Sequence, residues 1–207
     1  MRRGGVLARL FVALTLLLAG WGPGPAGADP KPAEEWLVMR VHQAGGDITV
    51  EAPRAFVAAL SGSPTGVTLP IGHFQGKPVR MSADRLVRLL RDSPGGGKES
   101  LLLTRQTDQG PVAFYARSVR RSLPPRGGMP LLLAFDMTRK GNSPLHLVLP
   151  LAGSAVLGKT VMSAAGFQPD SDVGPLLERG LECAKAMGTG VFLRAAAADA
   201  DIVVALQ

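Results

Sequence analysis

The chain predicts an α+β protein of two related ββααββ-like units packed together, with helices covering antiparallel sheet. Three observations lead there. Short runs of alternating apolar residues mark strands, and each opening pair of strands ends in a proline that leads a helical pattern. The same order of signals occurs twice, over 36–118 and 131–207. Between the copies, 119–130 is basic and rich in Pro and Gly, and reads as a linker.

In the first unit Leu37, Met39 and Val41 share one strand face. Gly45-Gly46-Asp47 supplies a turn, and Ile48, Val50 and Ala52 alternate along the return strand. Pro53 then leads a helix with Phe56, Val57 and Leu60 on one side, because its missing N–H has no helical partner to lose. Ser82 reads as the N-cap of a second helix whose apolar side is Leu86, Leu89 and Leu90, and Pro94-Gly95-Gly96-Gly97 ends it. Leu101–Leu103 and Val112–Tyr115 form a closing hairpin around Asp108-Gln109-Gly110.

The second unit repeats this plan. Leu131–Asp136 and Leu145, Leu147, Leu149 flank the polar turn Arg139–Asn142, and Pro150 leads a helix. Ser171 or Asp172 caps another helix carrying Leu177, Leu181 and Ala184, which Gly188 stops. Val191–Leu193 and Ile202–Val204 close the chain, at one constant offset from the first closing hairpin, as Leu102/Phe192 and Val112/Ile202 show. Each half has too few strands to hide both faces alone, so the two are expected to pack as one body, in a continuous sheet covered by helices.

The elements at Trp36-Leu37, Arg40-Val41, Gly45-Gly46, Pro53, the leucine-rich helix and Val112/Phe114 resemble a bacterial module. It is the region that follows the short SHOCT-like helical domain in some bacterial envelope-stress proteins. The resemblance covers about 36–118, with 131–206 as a weaker echo. It implies an interaction module of the cell envelope and carries over no catalytic residue. This chain departs from the pattern in having a leader where the helical domain would stand.

That leader is basic at its tip (Arg2, Arg3), apolar from Val6 to Leu18, and closed by Ala26-Gly27-Ala28. Residues 1–28 read as a cleaved export signal, too short and too quickly followed by Gly and Pro for a membrane span, and 29–35 as a lead-in. Trp21 stands where a lipoprotein needs cysteine, so the product is expected to be secreted or periplasmic and soluble, not lipid-anchored. Formal charge is +7, and +4 without the three leader arginines, concentrated before residue 130. Cys183 is the only cysteine, which excludes an intramolecular disulfide and suits a buried apolar position.

Gly153, Gly158, Lys159 and Thr160 fit the phosphate-loop spacing G-x-x-x-x-G-K-[ST]. Against that reading, Val156-Leu157 is apolar, Leu151, Ala155, Gly158 and Met162 continue at helical spacing, and an exported protein meets little ATP. His42, His73 and His146 show no ligand spacing, no serine sits in a Gly-x-Ser-x-Gly elbow, and Asp170/Asp172 and Asp199/Asp201 are turn or capping residues. No cofactor is implied. Arg85, Arg88 and Arg91 recur at helical spacing as a basic ridge, joined later by Arg117, Arg120, Arg121 and Arg126, and could contact anionic envelope polymers, lipid headgroups or an envelope protein. With Trp36 and Tyr115 the only large amphipathic aromatics of the mature chain, nucleic acid is poorly provided for. The expected function is non-catalytic binding or scaffolding. The alternative is an enzyme, using nucleotide through 153–160 or acting as a hydrolase.

Overall fold

Leu37, Met39 and Val41 lie on β1 (Ala33–Gln43), which turns at Ala44-Gly45 into β2 (Gly46–Pro53) and pairs with it antiparallel from Trp36↔Pro53 to Gln43↔Gly46. The computed structural model describes residues 33–62, 65–123, 126–141, 143–151 and 174–207. The leader 1–28, most of the lead-in and the octet of Gly153, Gly158, Lys159 and Thr160 lie outside them. Helix α1 (Arg54–Leu60) follows β2, and the strands β3 (Thr68–Phe74) and β4 (Lys77–Ser82) precede α2 (Ala83–Arg91). A hairpin of β5 (Ser100–Thr107) and β6 (Gly110–Ser122) closes the first unit. In the second, β7 (Leu132–Arg139) and β8 (Leu145–Pro150) come before α3 (Gly174–Met187), β9 (Gly190–Ala197) and β10 (Ala200–Leu206).

Eight strands form one antiparallel sheet in the order β5-β6-β1-β2-β9-β10-β7-β8, and β3 and β4 form a separate two-stranded sheet. The units join where β2 meets β9, through Thr49↔Ala196, Val50↔Ala195 and Glu51↔Arg194. One face of the sheet carries Leu37, Met39, Val41, Ile48, Val50, Phe114, Leu193 and Val204 into a single core shared by both units. Phe56, Val57 and Leu60 of α1 and Leu86 and Leu90 of α2 enter the same core. The other face carries cross-strand charge. Arg40 bonds Glu99 and Asp47, and Arg121 reaches both oxygens of Glu51 at 2.7 and 2.6 Å.

This architecture overturns the expected α+β plan of ββααββ units with helices covering the sheet. The described residues are mostly β, 57% strand against 19% helix, and the three described helices are short patches on a large sheet. The first unit is ββαββαββ, because a hairpin stands where the two helices were expected to follow one another. Its strands gave a weak signal: Pro70, Gly72 and Pro78 interrupt alternation, and the β3–β4 register shifts between Pro70 and Gly72. Proline is tolerated because each strand of this small sheet has an edge. Gly72 has φ +153, and a Cβ there would lie 3.0 Å from the Thr107 methyl carbon, so only glycine lets β3 approach β5 so closely. In the second unit, α3 is the one helix among the described residues.

The linker boundary also moves. β6 runs on to Ser122, pairing Arg121 with Glu34 and Arg120 with Glu35 of β1, so 119–122 are strand. Ala33–Glu35 of the lead-in are strand too.

Helix α2 shows how its start is held. The Ser82 hydroxyl accepts from Arg85 N–H at 3.3 Å, and Asp84 sits in the first turn, where the helix dipole favours an acid. Burial pushes the Asp84 carboxyl up. Hydrogen bonds from the Thr65 N–H (2.8 Å), Gly66 N–H (2.9 Å) and Thr65 hydroxyl (2.9 Å) outweigh that and hold it below its usual range. A depressed folded value stabilises above the unfolded value near 4 and is lost as pH falls through the folded one. We expect Asp84→Ala to cost on the order of 2 kcal/mol at neutral pH, the gap from wild type closing in acid. Urea unfolding at pH 7 and pH 3 checks this, and a pH-independent gap rejects it.

Candidate functional site

At one end of the sheet three segments far apart in sequence converge: Gln43 and Ala44 at the β1–β2 turn, Ile71 to His73 of β3, and Thr107 to Gly110 at the β5–β6 turn. They enclose a half-open cleft of about 240 Å³ with Ile71 and Val112 as buried apolar lining. The β5–β6 turn is clamped to β3–β4 by its backbone and its acid. Asp108 N–H donates to the His73 carbonyl at 2.7 Å, and Asp108 Oδ1 accepts from Gln75 N–H at 2.7 Å. The Thr107 hydroxyl donates to the Gly110 carbonyl at 2.7 Å, which fixes the turn's own geometry.

Within this rigid frame the Gln43 side-chain nitrogen Nε2 is buried and has no hydrogen-bond partner among the described residues. A buried amide left without an acceptor costs about 1–3 kcal/mol, and it belongs to a residue that lines the cleft. The exposed His73 imidazole and the Asp108 carboxylate add further hydrogen-bonding groups at the rim.

The expected basic ridge is not one surface. Arg85 and Arg88 are exposed on α2. Arg91 pairs with Asp92 at 2.7 Å and donates to the Ser61 hydroxyl, and the same carboxylate raises its pKa further. Arg120 and Arg121 are neighbours on β6 and so point to opposite faces; Arg121 is held by Glu51 on the charged face, away from the helices. Arg126 is a structural residue, bonded through Nε and Nη2 to Glu34 and through Nη2 to the Val191 carbonyl.

Two histidines form cross-strand pairs with acids, His42 Nδ1 with Asp47 at 2.6 Å and His146 Nδ1 with Asp136 at 2.5 Å. The Asp47 carboxyl is held low, chiefly by His42. Cys183 is buried, and burial pushes its thiol up, which makes it a poor nucleophile. Among the described residues no cluster of three or more His, Cys, Asp or Glu is placed to hold a metal ion, and no helix is long and apolar enough to cross a membrane.

Sequence reading missed Gln43 altogether and took Asp108 only as a turn residue. The one available signal was Gly72 inside a strand-like stretch, which marks a close backbone approach.

Fold and cleft together define a β-rich protein with a polar recess at the turn end of a long antiparallel sheet. No family model matches the chain, and neither the curated proteins nor the solved structures give a match.

Proposed function

We propose that the protein is a non-catalytic binding and scaffold protein of the cell envelope, exported by residues 1–28, whose recess at Gln43, His73 and Asp108 receives a polar group of an envelope component. The buried Gln43 Nε2 carries this reading: it asks for an oxygen acceptor that the described residues do not provide there. Envelope polymers offer such oxygens as amide carbonyls and carboxylates. The leader and the resemblance of 36–118 to a bacterial envelope module support the location.

The test is amide NMR of the isotope-labelled mature chain titrated with soluble cell-wall fragments. Shifts are expected at residues 43–44, 71–73 and 107–110, and Gln43→Leu should weaken binding about tenfold, the worth of one buried hydrogen bond. Shifts confined to Arg85 and Arg88, with phosphatidylglycerol vesicles binding instead, would move recognition to the basic helix and end the proposal.

A further inference from the structure

The two units share register as well as strand order. In the opening hairpins Trp36↔Pro53, Met39↔Val50 and Val41↔Ile48 of the first answer to Leu132↔Pro150, Phe135↔Leu147 and Met137↔Leu145 of the second. In the closing hairpins Thr107↔Gly110 and Arg105↔Val112 answer to Ala197↔Ala200 and Ala195↔Ile202. The irregularity falls at the same place in both: pairing with β6 passes from Leu101 to Leu103, skipping Leu102, and pairing with β10 passes from Val191 to Leu193, skipping Phe192. Order is conserved too, as β5-β6-β1-β2 beside β9-β10-β7-β8. The units therefore stand head to tail, joined by β2 of one to β9 of the other.

Among the described residues, a head-to-tail junction between equivalent units places the same two kinds of strand at the ends of the sheet. β8, the counterpart of β2, is the terminal strand on one side, and β5, the counterpart of β9, is terminal on the other. Neither carries a proline along the residues that would pair. β5 holds no proline, so its outward N–H groups are intact, and its Leu101 is 58% exposed. On β8, Leu145 and Leu147 are 40% and 37% exposed, whereas their counterparts Ile48 and Val50, beside the internal junction and under α1, are 0% and 4% exposed. Natural edges are usually blunted by charged side chains or proline, and β8 carries no Lys, Arg, Asp, Glu or Pro between Leu145 and Leu149.

From this continuity with the internal junction we infer that a second copy of the chain adds to the sheet, its β5 taking on β8 the place that β9 takes on β2. The internal register transfers directly. Thr49↔Ala196, Val50↔Ala195 and Glu51↔Arg194 become His146↔Gln106, Leu147↔Arg105 and Val148↔Thr104 between copies. Association of this kind is heterologous, each added copy presenting a fresh β8 or β5.

The experiment uses the mature chain with Cys183→Ala. Val148→Cys and Thr104→Cys proteins, mixed and air-oxidised, should form a disulfide-linked pair well above either alone. Val148→Cys mixed with Arg105→Cys, one residue out of register and on opposite sheet faces, should not. Sedimentation velocity of the wild type should show mass rising with concentration, and both Leu147→Lys on β8 and Thr104→Pro on β5 should abolish the rise, so that misfolding of one variant leaves the other informative. Equal cross-linking by the out-of-register mixture overturns the inference. So does a wild type that stays monomeric through the millimolar range, as it would if the chain's own residues 152–173 covered β8 and protected its amides from exchange.

Discussion

Phe192→Ala should lower the unfolding free energy by about 3–5 kcal/mol and the melting midpoint by roughly 10 °C. The ring is 1% exposed and meets Phe56 of α1 edge to face, with centroids 5.8 Å apart. Such a pair adds about 0.5–1.5 kcal/mol to what burial alone supplies. Phe192 is the residue that the β9–β10 register skips, and this irregularity accompanies its contact with a helix of the other unit. Its removal opens a cavity at the seam between the units, where only three residue pairs of sheet hold them together. Phe192→Leu, which keeps most of the volume, should cost far less. Urea titration of the two variants measures the difference, and equal loss would show that the seam does not depend on the ring.

Arg126→Ala should cost about 2–4 kcal/mol, a large effect for a residue that reads as part of a linker. Its side chain is only 16% exposed, with Nε and Nη2 on the two oxygens of Glu34 at 3.0 and 3.1 Å and Nη2 on the Val191 carbonyl at 2.7 Å. The guanidinium carbon also lies 4.2 Å from the centre of the Phe192 ring. Truncation strips these partners at once, leaving Glu34 with the Trp36 indole N–H as its remaining hydrogen-bond donor in this cluster. Nη1 lies under Gly190, where φ is +130 and a Cβ would stand 3.3 Å away, so the close fit needs glycine as well as arginine. Arg126→Lys should recover little, because an ammonium cannot bond both oxygens in the same plane. A double-mutant cycle with Phe192→Ala should give a coupling of about 0.5–3 kcal/mol. Strict additivity would show that the cation–ring contact contributes nothing.

These two residues mark where sequence reading ends. Leu37/Met39/Val41 and Ile48/Val50/Ala52 announced their strands and their buried face, because alternation along a half-buried strand is local. Ser82 announced a cap for the same reason: its partner, Arg85 N–H, is three residues away. The β3–β4 hairpin was hidden by Pro70, Gly72 and Pro78, which break strand alternation, and only Thr107, packed against Gly72, shows why the glycine stands there. Arg126 looked like a surface cation because nothing nearby in the chain names Glu34 or Val191 as its partners. The cleft was equally hidden. Gln43, His73 and Asp108 belong to three turns or strand ends that no spacing connects.

From its own residues the chain determined the strand faces, helix α2 with its cap, the buried Cys183 position and the repeated order of signals, all consequences of periodicity and short-range hydrogen bonding. Tertiary structure alone decided that the units merge into one eight-stranded sheet, that Arg126 ties Glu34 to the Val191 carbonyl rather than standing as a surface charge, and that Gln43 Nε2 is buried without a partner among the described residues. The reason is physical: pairing across β2 and β9 and burial in a shared core are long-range terms, fixed only once distant segments exclude water together.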